Sequence, residues 1–283
     1  MTIIYFGFFL LSSAMESLPD AIIQYILSHM FNARDVACCN CVSKRWKESM
    51  VYNKSLYFPR IAFENLSDGQ SPEKVVRRMV SRVVQLEELI VYSPFSPSGL
   101  ASWLSLAGPS LLQLELRLDN LAECFPSRES PSKLDCIGAA RNLKCLKLWG
   151  VLMKRSPKWD VFENLRTLEI TGTRLEEPAL TALLQACPYL RRFLLLGCEG
   201  VRSISIELPY LEQCKLDFYG MGNCSLTLTS SKIESLEVQG CSWITVPEAQ
   251  NLKKLSISNS AGNWMLESFL YFPFIGLFCS QVN

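Results

Sequence analysis

From Leu86 to Ile257 one spacing of apolar positions recurs: an apolar residue, a second three positions on, and a third two beyond that. It reads Leu86-Leu89-Val91, Leu111-Leu114-Leu116, Leu143-Leu146-Leu148 and Leu165-Leu168-Ile170. It continues as Leu190-Phe193-Leu195, Leu211-Cys214-Leu216, Ile233-Leu236-Val238 and Leu252-Leu255-Ile257. Side chains two apart point to the same face of an extended chain, so each triplet predicts a short strand with one buried face. Successive starts lie 19 to 32 residues apart, which leaves a return segment after every strand. Ser71-Pro72-Glu73 opens a helix among these segments, with Ser71 as N-cap and Pro72 in its first position. Val75, Val76, Met79, Val80 and Val83 follow at helical spacing. A second helix is expected from Glu177 to Ala186, stopping before Cys187-Pro188. The later repeats are shorter, and their returns, Ser225 to Thr229 for example, read as extended.

A different pattern fills the N-terminal part. Pro19 suits the first turn of a helix, and Ile22, Ile23, Ile26, Leu27 and Met30 make that helix apolar on more than one side. A segment of roughly 40 residues cannot bury so much apolar surface alone, so it needs a partner. The run continues through Asp35-Val36 and closes on Val42-Ser43-Lys44-Arg45-Trp46. Leu18-Pro19, the isoleucine-rich helix, the Asp-hydrophobic pair and Val-x-x-x-Trp at this spacing resemble an F-box, and Ser55-Leu56-Tyr57 extends the likeness. The resemblance implies docking onto the SKP/ASK-family adaptor of cullin ubiquitin ligases. Leu18, Pro19, Ile22, Ile23, Ile26, Leu27, Asp35, Val42 and Trp46 are the implied adaptor contacts.

The recurring triplet at periods of roughly 20–29 residues resembles the leucine-rich repeat, in which each unit gives one strand of a horseshoe. The position eight residues after each start should hold Asn or Cys. Cys198 and Cys241 fit, Thr173, Ser260 and Asp119 are polar substitutes, and Val151, Tyr219 and Pro94 depart from the rule. A small polar group there can satisfy amides of the turn. Cys187-Pro188 before Leu190 is similar to plant-type F-box/leucine-rich-repeat proteins. The expected fold is therefore α/β: a three-helix F-box followed by an irregular solenoid of parallel strands. The segments are 1–14, an apolar extension; 15–58, the F-box; 59–85, linker and first convex helix; 86–262, the repeats; and 263–283, an apolar tail.

Composition narrows the function. Lys and Arg number 28 against 27 Asp and Glu, giving a net charge of +1, so the basic footprint of a nucleic-acid binder is missing. The single histidine, His29, lies in the F-box helix, which nearly excludes His-dependent catalysis or a His-rich metal site. No Gly-x-x-x-x-Gly-Lys loop, Gly-x-Ser-x-Gly elbow or His-Glu-x-x-His helix occurs, and Gly220-Met221-Gly222 is an isolated loop. The twelve cysteines are scattered, several at apolar repeat positions, which suits buried free thiols in a reducing compartment. Cys38-Cys39-Asn40-Cys41 has no second pair at zinc spacing and reads as buried helix. No cofactor, metal, nucleic acid or membrane is implied.

The ends leave alternatives open. Thr2 to Leu11 followed by Ser12-Ser13-Ala14 could pass for a secretory signal, but it lacks a basic n-region and is too short to span a bilayer. Met15 begins as F-box proteins commonly begin, so Met1 to Ala14 reads as an upstream extension of the reading frame. Asn-x-Ser sequons stand at Asn53, Asn65 and Asn223. Trp264 to Asn283 lacks period-2 alternation and contains Pro273, so no further regular strand is expected. It either folds back over the last repeat or stays mobile, and it raises the question of an alternative or truncated end.

With the repeat leucines inward, alternate residues line the concave sheet. Tyr92, Trp149, Glu169, Arg192, Leu194, Leu196, Lys215 and Asp217 are the candidate target-binding set, unless loops of the chain cover them. The reading is a non-catalytic substrate receptor of an SCF ubiquitin ligase, in the nucleus or cytoplasm, binding the adaptor and an unidentified target protein. A secreted leucine-rich-repeat recognition module is the alternative, and an F-box protein acting outside any ligase is a third.

Overall fold

The computed structural model describes residues 17–60, 71–118, 132–218, 224–258, 265–267 and 276–279. The chain forms two compact units, Met1–Gln113 and Leu114–Asn283.

In the first unit, α1 (Asp20–Ser28), α2 (Ala33–Cys39) and α3 (Lys44–Ser49) form a small helical module. Caps set their starts. Asn32 and Ser43 accept the N–H groups of Arg34 and Trp46, and the Pro19 carbonyl takes those of Ile22 and Ile23. A 3₁₀ turn (Met50–Tyr52) leads into β1 (Ser55–Phe58), which pairs in parallel with β2 (Glu88–Val91). The sheet thus begins earlier than the leucine pattern. Ser55-Leu56-Tyr57, an F-box echo in sequence, is a strand whose Leu56 and Phe58 are both 0% exposed. Between these strands runs α4 (Pro72–Val80), capped by Ser71 as its sequence requires, and α5 (Pro97–Ala107) follows β2.

In the second unit the main sheet runs β3-β4-β6-β7-β9-β11-β13-β15. These strands are β3 (Gln113–Arg117), β4 (Cys145–Trp149), β6 (Thr167–Leu175), β7 (Arg192–Glu199) and β9 (Gln213–Phe218). The rest are β11 (Ser235–Gln239), β13 (Lys254–Ser258) and β15 (Gly276–Cys279). Strands β4 to β15 of this row pair in parallel, register on register, and β5 (Leu152–Met153) adds to β6. The repeat leucines form the core: Leu146, Leu148, Leu168, Ile170, Phe193 and Leu195 are all 0% exposed.

Repeat length decides what returns the chain. The longer repeats carry helices, α6 (Lys133–Ile137) and α7 (Glu177–Gln185). The repeats from Leu190 onward are too short for a helix, and their Ser/Thr-Leu alternation is strand-forming. Their returns, β8 (Ser203–Glu207), β10 (Cys224–Thr229), β12 (Cys241–Thr245) and β14 (Met265–Glu267), build a second parallel sheet, as the extended reading of Ser225 to Thr229 anticipates. Helix α7 starts and stops within a residue of its sequence expectation. Helices α5 and α6 have no counterpart there, although Ser96-Pro97 repeats the Ser71-Pro72 signal and Ser132 with Asp135 forms a capping box.

One correction concerns the chain beyond Gly262. No strand was expected beyond Gly262, yet β14 and β15 pair with β12 and β13, with Leu277 and Cys279 in register with Leu255 and Ile257. Alternation reads side chains, whereas pairing answers the unpaired main-chain groups along a strand edge. Trp264 and Pro273 lie outside the described residues, as do Met1–Glu16, Asn65, Asp119, Tyr219 to Asn223 and Ser260. Four of the repeats also share a glycine at one position. Gly150, Gly172, Gly197 and Gly240 all stand seven residues after a repeat start, and all have positive φ. At Gly240 (φ 83°) a Cβ would run into the Phe218 carbonyl, so the turn into the return segment admits only glycine.

One device ties neighbouring repeats together. In α4, α6 and α7 an acid in the first turn accepts main-chain N–H groups roughly one repeat later. Glu73 takes Ser96 N (2.5 Å), Asp135 takes Lys158 N (2.8 Å), and Glu177 takes Arg202 N and Ser203 N (both 2.8 Å). Negative charge is also favoured at a helix N-terminus. Burial alone would raise the Asp135 carboxyl, but hydrogen bonds from Lys158 and Ser132 and the Arg155 charge outweigh it and hold the group below its usual value. A carboxyl lowered by folding stabilises fully above its unfolded pKa, about 3.9, and loses that contribution as pH falls through the lowered value. Asp135→Asn is therefore expected to cost about 1.5–3 kcal/mol at pH 7, and the gap to wild type should shrink below pH 4. Urea midpoints at both pH values check this; a gap independent of pH would remove the charge from the argument.

Candidate functional site

The helical module fills its own core first. Ile23, Leu27 and Trp46 keep 0%, 0% and 2% of their surface, with Leu18, Ile26, Met30, Cys39 and Val42 packed around them. Arg45 spans from α3 to the start of α1, reaching Asp20 Oδ1 (2.5 Å) and the Leu18 carbonyl (2.8 Å). Asn53 is wholly buried, donating to the Met30 carbonyl and accepting Ser55 N, so its side chain has no room for a glycan. Ile23, Leu27 and Trp46, expected as adaptor contacts, are corrected to core residues, because a side chain without surface cannot meet a partner. Leu18, Ile26 and Val42 are half-buried, and Pro19, Ile22 and Asp35 are exposed.

What remains outside is a set of large apolar side chains. Ile22 is 44% exposed, Tyr25 65% and Phe31 56%. Ile22, Tyr25, Ile26 and His29 follow helical spacing along one side of α1, and the Tyr25 and His29 rings lie 4.4 Å apart, tilted by 48°. Tyr25 and Phe31 were missed in sequence, where the apolar run of α1 does not separate an inner from an outer stripe. Cys38 and Cys41 are exposed as well, against the expectation of a buried helix.

Also in this unit, Tyr92 stands one residue past β2. Its ring meets Tyr57 edge-on at 5.5 Å, and Tyr57 lies 6.2 Å from Phe31.

In the second unit the remaining candidates share the solvent face of the main sheet. Lys147, Glu169, Leu194, Lys215 and Glu237 stand side by side on successive strands. Lys147 bridges Glu115 (3.9 Å) and Glu169 (3.8 Å), and Trp149 Nε1 donates to Glu115 Oε1 at 3.0 Å. Glu237 receives Lys254 and Lys215, which hold its carboxyl below the usual range. Leu194 sits between these two ion ladders and keeps only 8% of its surface. Flanked by the long stems of Glu169 and Lys215, it is shielded rather than presented, which corrects its expected role as an anchor. Trp149, Leu196 and Asp217 are half-buried, Lys215 is exposed, and Arg192 is exposed with no ion pair among the described residues.

Among the described residues the thiols are free, and burial governs the inner ones. It pushes Cys187 up to about 12 and raises Cys214 further, while a hydrogen bond to Cys224 and burial hold Cys241 high. Such groups stay protonated and inert. Cys198 and Cys241 occupy the eighth repeat position fully buried, with Cys198 Sγ donating to the Leu196 carbonyl.

Two family models match. An F-box-like model covers residues 15–58, and the leucine-rich repeats of FBD-associated F-box protein At5g56370 cover residues 100–267. F-box protein At1g10780 of Arabidopsis thaliana is 58% identical over 255 residues, 90% of this chain and 61% of that protein. The putative FBD-associated F-box protein At5g56560 of the same plant is 22% identical, over 89% of this chain and 57% of its own length. The chain thus spans only about three-fifths of these relatives. F-box/LRR-repeat protein 25, also from Arabidopsis, is 26% identical over 71% of this chain and 76% of that one. A crystal structure of a TLR13–ssRNA13 complex aligns with 78% of this chain and 34% of its own at a TM-score of 0.43 and 15% identity.

Proposed function

The chain belongs to the family of F-box proteins whose F-box is followed by leucine-rich repeats, and from that premise we propose that it is the substrate-recognition subunit of an SCF-type ubiquitin ligase. Neither matching family model is that of an enzyme. In this reading catalysis belongs to the cullin–RING assembly, and this subunit contributes proximity, holding a target near the charged ubiquitin. The F-box docks onto an SKP/ASK-family adaptor, and the repeats hold the target in the nucleus or cytoplasm. One observation carries the docking step: Ile22, Tyr25 and Phe31 remain exposed on a module whose core is already complete. Covering such side chains is worth roughly 1.5–3 kcal/mol each, which favours a partner.

Arg192 and Trp149 support target binding on the sheet face, one as a cation with no ion pair among the described residues, the other as a half-buried aromatic side chain two strands away and level with Leu196. Affinity purification of the tagged chain from plant tissue, with mass spectrometry, is expected to recover an SKP-type adaptor, a cullin and one or more further proteins. Substituting Trp149 and Arg192 by Ala should remove the further proteins and keep the adaptor. Recovery without any adaptor, with glycan on the chain, would instead favour a secreted recognition module. Adaptor recovery without ubiquitination of any captured protein would favour an F-box protein acting outside a ligase.

A further inference from the structure

Four side chains from four successive repeats stack into one strip that neither adaptor docking nor the sheet face uses. Tyr189, Tyr210 and Lys232 each stand three residues ahead of a repeat strand, β7, β9 and β11, while Arg166 stands directly ahead of β6. The two tyrosine rings lie 5.7 Å apart at 35°. The Arg166 guanidinium sits 5.5 Å from the centre of the Tyr189 ring, and the Lys232 ammonium 4.9 Å from that of Tyr210. The repeat itself produces this arrangement. Paired strands run about 4.8 Å apart, so one loop position in consecutive repeats, held by Tyr189, Tyr210 and Lys232, arrives at stacking distance, and the Arg166 side chain reaches the first ring from two positions further along its own repeat.

The strip presents positive potential to solvent. The cations lie over the rings and the rings over each other, so the accessible parts are ring edges, the positive end of the aromatic quadrupole, together with hydroxyls and cations. Tyr189 and Tyr210 still expose 39% and 41% of their surface. Among the described residues, neither Arg166 nor Lys232 forms an ion pair. Arg166 Nη1 donates instead to the main-chain carbonyls of Glu163 (2.8 Å) and Leu165 (3.2 Å), which fixes the guanidinium without neutralising it. By position Arg166 heads the adjoining row, and the rest of that row cancels its own charge, Arg191 pairing with Glu212 (3.4 Å) and Lys253 with Glu234 (2.9 Å). Stacking that served rigidity alone would explain the rings, but not two cations left without an ion pair where the rest of the adjoining row is neutralised.

We propose that the strip formed by Arg166, Tyr189, Tyr210 and Lys232 docks an extended acidic peptide segment of a partner protein. Carboxylates of the peptide meet the two cations, and its backbone lies along the tyrosine edges. An extended chain advances ~3.3 Å per residue, so a segment of about five residues reaches from one cation to the other. The inference does not rest on adaptor docking, since all four residues belong to the repeats and binding needs no ligase.

The test titrates the full chain, by fluorescence anisotropy, with a labelled peptide alternating glutamate and serine. A serine–lysine peptide and an all-serine peptide of equal length run beside it. Only the glutamate peptide should bind, and more weakly as salt rises. Arg166→Glu with Lys232→Glu should weaken it at least about tenfold, and Tyr189→Ser with Tyr210→Ser comparably. Arg166→Gln with Lys232→Gln removes charge alone and should retain the melting midpoint, while Arg191→Ser with Glu212→Ser should leave binding unchanged. The proposal falls if the glutamate peptide fails to bind at millimolar concentration, if all three peptides bind alike, or if charge removal at Arg166 and Lys232 leaves binding intact.

Discussion

Replacing Ile22 and Tyr25 together by Asp is expected to weaken the binding of an SKP-type adaptor about 100- to 1,000-fold, with α1 still folded. At about 1.4 kcal/mol per decade this is roughly 3–4 kcal/mol, the range of central interface anchors. The choice follows from exposure. Ile22 and Tyr25 sit one turn apart on the open side of α1 at 44% and 65% exposure, so charge there meets water in the free protein and an apolar partner in the complex. Leu18 packs on the core through its half-buried side chain, so changing it would mix stability with binding. Isothermal calorimetry with the purified adaptor, beside a melting curve, separates the two. Affinity within about threefold of wild type, with the fold intact, would take the docking surface off α1 altogether.

How much of this was legible beforehand depends on what each feature needs. The strands were, because Leu-x-Leu at a fixed offset is itself the burial pattern: Leu146 and Leu148, or Leu236 and Val238, are inward wherever they pair. The caps of α4 were as well, since Ser71-Pro72 acts through its own backbone. Features that depend on a neighbour were not. Leu194 alternates like an exposed residue, and only the flanking Glu169 and Lys215 on adjacent strands reveal that it is covered. β15 lacks alternation but finds an edge at β13, which no local pattern records. Gly240 was visible as a residue, while its need emerges from the approach of the Phe218 carbonyl one repeat away. The same limit divided the F-box set wrongly. Ile22 and Ile23 are adjacent isoleucines, yet one is 44% exposed and the other 0%, and nothing local ranks them.

That division gives the other large effect. Trp46→Ala is expected to destabilise the helical module by about 3–5 kcal/mol, the usual cost of emptying a large buried site. Trp46 keeps 2% of its surface and packs with Ile23 and Leu27, so its indole joins α3 to α1. A loss of this size is a large share of the ~5–15 kcal/mol that holds a typical domain. Hydrogen exchange on the full chain should therefore show lost protection across Asp20–Ser28 and Lys44–Ser49. The strands from Cys145 to Ser258 should keep theirs, because their core is built from repeat leucines in the other compact unit. Adaptor binding should disappear as a consequence of unfolding. If instead α1 and α3 stayed protected while affinity fell, Trp46 would be an interface residue after all, and the inward packing of α3 described above would have to be abandoned.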